Sequence, residues 1–134
     1  MRKFISILIA TSLLLSLFVM PSYATNALNA RWVTISDTVI YHQYNAGNAE
    51  CFIYISGQPG AQITSVDVQL VMFTSAGTIQ VATWNDLSGG NDFTFAEYVP
   101  VNQLGTVYQL SFTATVVRNG VTETISDYLD VLYT

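Results

Sequence analysis

Val107-Tyr108-Gln109-Leu110-Ser111-Phe112-Thr113-Ala114-Thr115-Val116-Val117 is the stretch that decides the fold. Tyr108, Leu110, Phe112, Ala114 and Val116 share one parity; Gln109, Ser111, Thr113 and Thr115 share the other. Successive side chains of an extended chain point to opposite faces, so this period of two, rich in β-branched and aromatic residues, predicts a strand with one buried face and one wet face. A helix would scatter the same residues around its circumference and bury none of them well.

The pattern repeats on both sides. Asn119-Gly120 follows directly, and because both residues tolerate positive φ, a type I′ hairpin into a last strand, Val121 to Tyr133, is predicted. In that strand Glu123 and Asp127 share parity with Val121, Ile125, Leu129 and Val131, which predicts a bulge or an edge position. Upstream, Val66, Val68, Leu70 and Met72 oppose Asp67 and Gln69, and Cys51, Ile53 and Ile55 oppose Glu50, Phe52 and Tyr54. Shorter runs occupy Thr78–Trp84 and Phe93–Tyr98, the latter closed by Pro100, which cannot donate to a ladder. A first run, Trp32 to Tyr44, is interrupted near Asp37. Gln58-Pro59-Gly60, Ser75-Ala76-Gly77 and Leu87–Asp92 supply turn residues between runs. About seven strands, each with a single apolar face, need a second sheet to cover the first. The expectation is an all-β, two-sheet Greek-key sandwich of about seven antiparallel strands.

The first residues read differently. Arg2 and Lys3 precede an apolar run from Phe4 to Met20, then Pro21 and Ser22-Tyr23-Ala24, with small residues at −3 and −1 of a cut after Ala24. That layout predicts a secretory signal peptide over residues 1–24 and a secreted, extracellular sandwich domain over residues 25–134. The alternative, an uncleaved anchor, has an apolar run somewhat short for a span of roughly 20 residues. Without the signal, Arg31 and Arg118 stand against nine acids, a net charge of about −7 with no lysine. Such a chain repels phosphate backbones and has nothing to hold an anionic bilayer, so neither nucleic acid nor electrostatic membrane binding is expected.

Gly105-Thr106-Val107-Tyr108, followed by Leu110, resembles the tyrosine corner of immunoglobulin and fibronectin type III sandwiches, in which a Tyr stands two residues before the second core cysteine. Here Leu110 takes that cysteine's place, Cys51 lies where the first would be, and Leu70 and Met72 stand where a buried Trp is expected. The resemblance implies an immunoglobulin-like sandwich without its disulfide. Ala49-x-Cys51, Val68-x-Leu70, Ala82-Thr83-Trp84, Tyr98-x-Pro100, Gly105-x-x-Tyr108 and Val117-x-x-Gly120-x-x-Glu123-Thr124, in that order, resemble a set of small exported sandwich proteins of Gram-positive bacteria. That second resemblance implies export and fold, and no site.

Chemistry has few candidates. Cys51 is the one cysteine and His42 the one histidine. Alternation turns Cys51 into a core face, where a thiol behaves as a small apolar group, while His42 is expected at the surface or a strand edge, so no Cys–His dyad is read here. The segment Asn85-Asp86-Leu87-Ser88-Gly89-Gly90-Asn91-Asp92 gathers oxygen ligands of the type calcium takes, yet the same residues make any connecting loop, and EF-hand spacing is missing; no metal and no cofactor is assigned. Nothing singles out a pair of carboxylates among the nine acids for glycoside hydrolysis. No enzyme is expected.

Aromatic rings outside the core are what remain. Phe52, Tyr54 and Trp84 are the candidate ligand-binding residues, since rings on an open sheet face stack on sugars or anchor a protein partner; ordinary cross-strand packing is the competing reading, and Trp32 has the same two readings. The expected function is therefore a non-catalytic binding or adhesion-type module for a protein or glycan. A self-assembling protein using edge-strand pairing is the alternative, because the untidy last strand and the missing lysines leave edges unguarded.

Overall fold

A computed structural model describes residues Trp32–Thr134; the predicted signal peptide and its cut after Ala24 lie outside them. The described residues form β1 (Ile35–Asn45), β2 (Asn48–Gly57), β3 (Gln62–Thr74), β4 (Gly77–Leu87), β5 (Asp92–Pro100), β6 (Thr106–Arg118) and β7 (Val121–Tyr133). All pairings are antiparallel, in a three-stranded sheet of order β1-β2-β5 and a four-stranded sheet of order β4-β3-β6-β7. The chain changes sheet between β2 and β3, between β4 and β5, and between β5 and β6. These crossovers make the seven strands a Greek-key sandwich. No helix of the described residues is long and apolar enough to cross a membrane.

The core is the alternation of the sequence made physical. Cys51, Ile53 and Ile55 of β2 and Phe93 and Phe95 of β5 face Val66, Val68 and Leu70 of β3, Leu110, Phe112 and Ala114 of β6 and Ile125 of β7. Each fully covered aliphatic or aromatic side chain of this kind contributes about 1.5–3 kcal/mol relative to exposure. The one-residue irregularity between Ile63 and Ser65 in the β3–β6 ladder lets Ile63 and Val66, of opposite parity, both point inward.

Two hairpins have two-residue loops with positive φ at both positions: Asn119-Gly120, as the sequence predicts, and Ala46-Gly47, with φ of 49° and 90°. The last strand is paired with β6 without a shift from Arg118↔Val121 to Thr106↔Tyr133, so its inward acids reflect an edge position and no bulge. The interruption near Asp37 is a register shift between Ile35 and Asp37. At that end the chain before β1 is clamped: Glu123 accepts from the amide and hydroxyl of Thr34 (3.1 and 2.5 Å) and the amide of Val33 (3.4 Å), while Arg118 donates to the carbonyls of Pro59 and Val33 (3.0 and 3.2 Å).

The two open flanks of the sandwich are closed by different chemistry. On one, the edge strands β4 and β5 meet through Trp84 and Phe95, whose rings pack edge to face with centroids 4.8 Å apart. On the other, β1 and β7 meet through His42, which is 2 % exposed: Nδ1 lies 2.6 Å from the Tyr133 hydroxyl and Nε2 lies 2.7 Å from the Leu129 carbonyl. A carbonyl only accepts, so Nε2 carries the proton, Nδ1 is the acceptor, and the Tyr133 hydroxyl donates to it. The expectation of a surface histidine is corrected here. His42 does stand on an edge strand, but the sandwich closes over it. Tyr133 in turn stacks on Tyr108 at 4.2 Å, and the Tyr108 hydroxyl donates to the carbonyl of Gln103 at 2.7 Å, the hydrogen bond a tyrosine corner makes.

Candidate functional site

The outward faces of the two sheets differ in kind. On the four-stranded sheet the register places Gln69 beside Thr83 and Ser111, Thr113 beside Asp67 and Ser126, and Gln109 beside Asp130. This is mainly a surface of hydroxyls, amides and carboxylates, tied by bonds such as Gln109 Nε2 to Asp130 at 2.9 Å, with Tyr128 and Leu132 of the edge strand β7 its exposed apolar side chains. On the three-stranded sheet the outward rows are Val39–Tyr54–Thr94, Tyr41–Phe52–Ala96 and Gln43–Glu50–Tyr98. Here four aromatic rings lie on three strands. Tyr98 is 70 % and Tyr41 46 % exposed, with Phe52 and Tyr54 half-buried between neighbours.

These rows enclose a depression. Ala96 is the one small side chain beside Phe52, and above it the taller groups leave a groove of about 270 Å³ lined by Tyr41, Glu50, Cys51, Phe52, Ala96, Glu97 and Tyr98. One wall is fixed by hydrogen bonds. Gln43 Nε2 donates to one oxygen of Glu50 at 2.6 Å and Asn45 Nδ2 to the other at 2.9 Å. The Gln43 amide, and after it that of Asn45, holds the Glu50 carboxyl below the usual carboxylate range, so it is ionised near neutrality.

The sequence candidates are therefore divided. Phe52 and Tyr54 stand together on this face, as neighbours on β2 with outward parity. Trp84 belongs to the other sheet and is half-buried, its ring against Phe95 on the flank, so it is not part of their surface. Tyr41 and Tyr98, the most exposed rings of the face, are absent from the sequence reading. Tyr98 carried a signal, its parity being opposite to that of Phe93, Phe95 and Val99 in the same strand; Tyr41 carried none, because Val39 and Tyr41 are as apolar as Ile40 and Tyr44. Trp32 packs against the core.

The remaining candidates are taken up by the fold. Cys51 lies directly across the β1–β2 ladder from His42 and is buried. Burial first, then the nearby Glu97 carboxylate, pushes its thiol up to about 12, so it is protonated at neutral pH. Both imidazole nitrogens of its neighbour are already engaged, with Tyr133 and Leu129. In the Asn85–Asp92 loop the Gly90 carbonyl accepts from Ile63, the Asn91 carbonyl from Gly57, and the Asn91 amide donates to Gln58 and Ala61. Those oxygens are turned toward the β2–β3 turn. Gly57 is fixed by the same contact, since a Cβ there would meet the Asn91 carbonyl at 2.4 Å. Among the described residues no group of three or more His, Cys, Asp or Glu side chains is arranged to hold a metal ion.

A seven-stranded, two-sheet sandwich with one aromatic outer face is thus the class that fold and site define. No protein-family model matches the chain, and no curated protein matches it. Among solved structures, the solution structure of R. palustris CsgH is similar to it, with a TM-score of 0.46 and 14 % identity over 70 % of this chain and 90 % of that one.

Proposed function

We propose that this chain is an exported, non-catalytic interaction domain that binds its ligand through the outer face of β1-β2-β5. The observation that carries the reading is the contrast between the two outer faces. A solvated sheet face has no need of Tyr41, Phe52, Tyr54 and Tyr98 together, whereas the opposite sheet is covered mainly by Thr, Ser, Gln and acids, with Tyr128 its one well-exposed ring and Leu132 an exposed aliphatic. Tyr and Phe are the side chains that give large contact area at low entropic cost, and they are enriched where partners dock. Export rests on the signal-like residues 1–24, and the order of motifs resembling small exported sandwich proteins of Gram-positive bacteria supports it.

The test is selection of ligands from a peptide-display library and a glycan array, using the mature chain and a Tyr41→Ser/Tyr98→Ser variant. Both tyrosines are exposed, so the variant keeps the fold. Ligands that bind the parent and lose the variant support the reading; ligands that bind both alike overturn it.

Edge-strand pairing between copies is the second reading, and β4 favours it. From Gly77 to Asn85 this edge strand carries no charged side chain, and charge is the usual guard of a free edge. Light scattering across a concentration series separates the two: a monomer at high concentration removes self-assembly.

A further inference from the structure

We infer that the groove above Ala96 takes a cationic side chain, that of an arginine or lysine carried on an extended segment of a protein partner. The inference rests on the interaction face proposed above and names its ligand chemistry. The groove combines two features that attract a cation and few that attract anything else. Its walls are the rings of Tyr41, Phe52 and Tyr98, whose faces carry negative quadrupole charge. Its rim holds the carboxylate of Glu50.

The Glu50 carboxylate decides the matter. Its partners are two neutral amides, Gln43 and Asn45, which orient the anion without cancelling its charge. Among the described residues Arg118 is the one arginine and there is no lysine. Arg118 is committed beyond the far end of β2, donating to Pro59 and Val33. Cys51 to Gly57 alone spans about 20 Å of strand, so no side-chain cation of the described residues answers the groove. An ionised carboxylate held in place beside three rings is complementary to a guanidinium or ammonium, which gains from both at once. A neutral sugar would also stack on the rings, but it would leave the charge of the Glu50 carboxylate unanswered. The surplus of acids on the chain adds long-range attraction for a basic segment.

The experiment is an amide chemical-shift titration of the mature chain with acetyl-Gly-Arg-Gly-Arg-Gly-amide and with the same peptide carrying citrulline in place of both arginines. The expected result is saturable shifts confined to Tyr41, Glu50, Phe52, Ala96 and Tyr98 with the arginine peptide and none with the citrulline peptide. Glu50→Gln and Tyr98→Ala should each weaken binding about fivefold or more. Shifts spread over Asp67, Asp127 and Asp130, affinity unchanged in both variants, or no shift up to about 10 mM peptide would overturn the inference. Equal binding of the citrulline peptide at the same residues overturns the cationic ligand and leaves the interaction face standing. The face itself falls only if the display ligands are also indifferent to Tyr41 and Tyr98.

Discussion

His42 of β1 and Tyr133 of β7 share a hydrogen bond of 2.6 Å between Nδ1 and the phenolic oxygen, and so join the edge strand of one sheet to the edge strand of the other. Among the described residues every buried side-chain nitrogen and oxygen has a partner, and this pair accounts for two of the largest polar groups inside. Tyr133→Phe leaves Nδ1 without its donor and should cost about 1–1.5 kcal/mol; His42→Phe strands both the Tyr133 hydroxyl and the Leu129 carbonyl and should cost about 2–3 kcal/mol. Urea unfolding of the two variants beside the parent measures both.

The same histidine sets a pH dependence. Burial lowers its pKa from the ordinary value of 6.5, with the Leu129 carbonyl and Asp130 offsetting part of that fall. The unfolded chain therefore takes up its proton at higher pH than the folded chain, and within that interval the unfolded state binds more protons. The stabilisation is complete above 6.5 and is lost as the pH falls through the lowered folded value. Urea midpoints at about pH 7.5 and 5.5 should show the parent weaker at the lower pH, and His42→Gln should shrink the difference. Glu50 and Glu123, whose pKa values lie below 4.5, contribute only under more acid conditions.

Ala46 occupies the first position of a primed turn at φ 49°, where a Cβ is disfavoured and asparagine is at home. It is exposed and has no packing to lose. Ala46→Asn should raise stability by about 0.5–1 kcal/mol, read as a higher urea midpoint with an unchanged slope.

Trp84→Ala should behave as a packing variant. The ring closes a flank against Phe95, so its removal should cost about 2–3 kcal/mol, while ligands selected on the outer face of β1-β2-β5 should bind the folded variant as they bind the parent.

Cys51 should be silent to thiol reagents. Its sulfur is buried and held protonated, with the pKa pushed up to about 12. Labelling by a small disulfide reagent at pH 7.5 should follow the rate of opening of the sandwich, rising in urea, and an immediate stoichiometric reaction of the native protein would contradict the fold as described.

Much of this architecture was legible in the sequence because β2, β3 and β6 are central strands with a strict binary face. Cys51-Ile53-Ile55 against Glu50-Phe52-Tyr54 allows one orientation only when the opposite sheet is as apolar as Val66-Val68-Leu70 and Leu110-Phe112-Ala114. In β1 the pattern fails: Val39 and Tyr41 are as apolar as Ile40 and Tyr44, and only pairing with β2 tells which set faces inward. That ambiguity hid both the burial of His42 and the exposure of Tyr41. Trp84 was beyond reach for another reason, since a ring near the end of an edge strand can turn to a flank that exists only once both sheets are in place. The Ala46-Gly47 turn was hidden because alanine is not a residue that turns select.

The sandwich has a spine and a seam. Trp84 and Phe95 bind the β4–β5 margin through carbon, which no proton alters, whereas the β1–β7 margin is stitched by an imidazole lone pair. Acid therefore weakens the contact at one margin and leaves the carbon contact at the other unchanged, so the pH sensitivity of the sandwich is lodged on a single side of it.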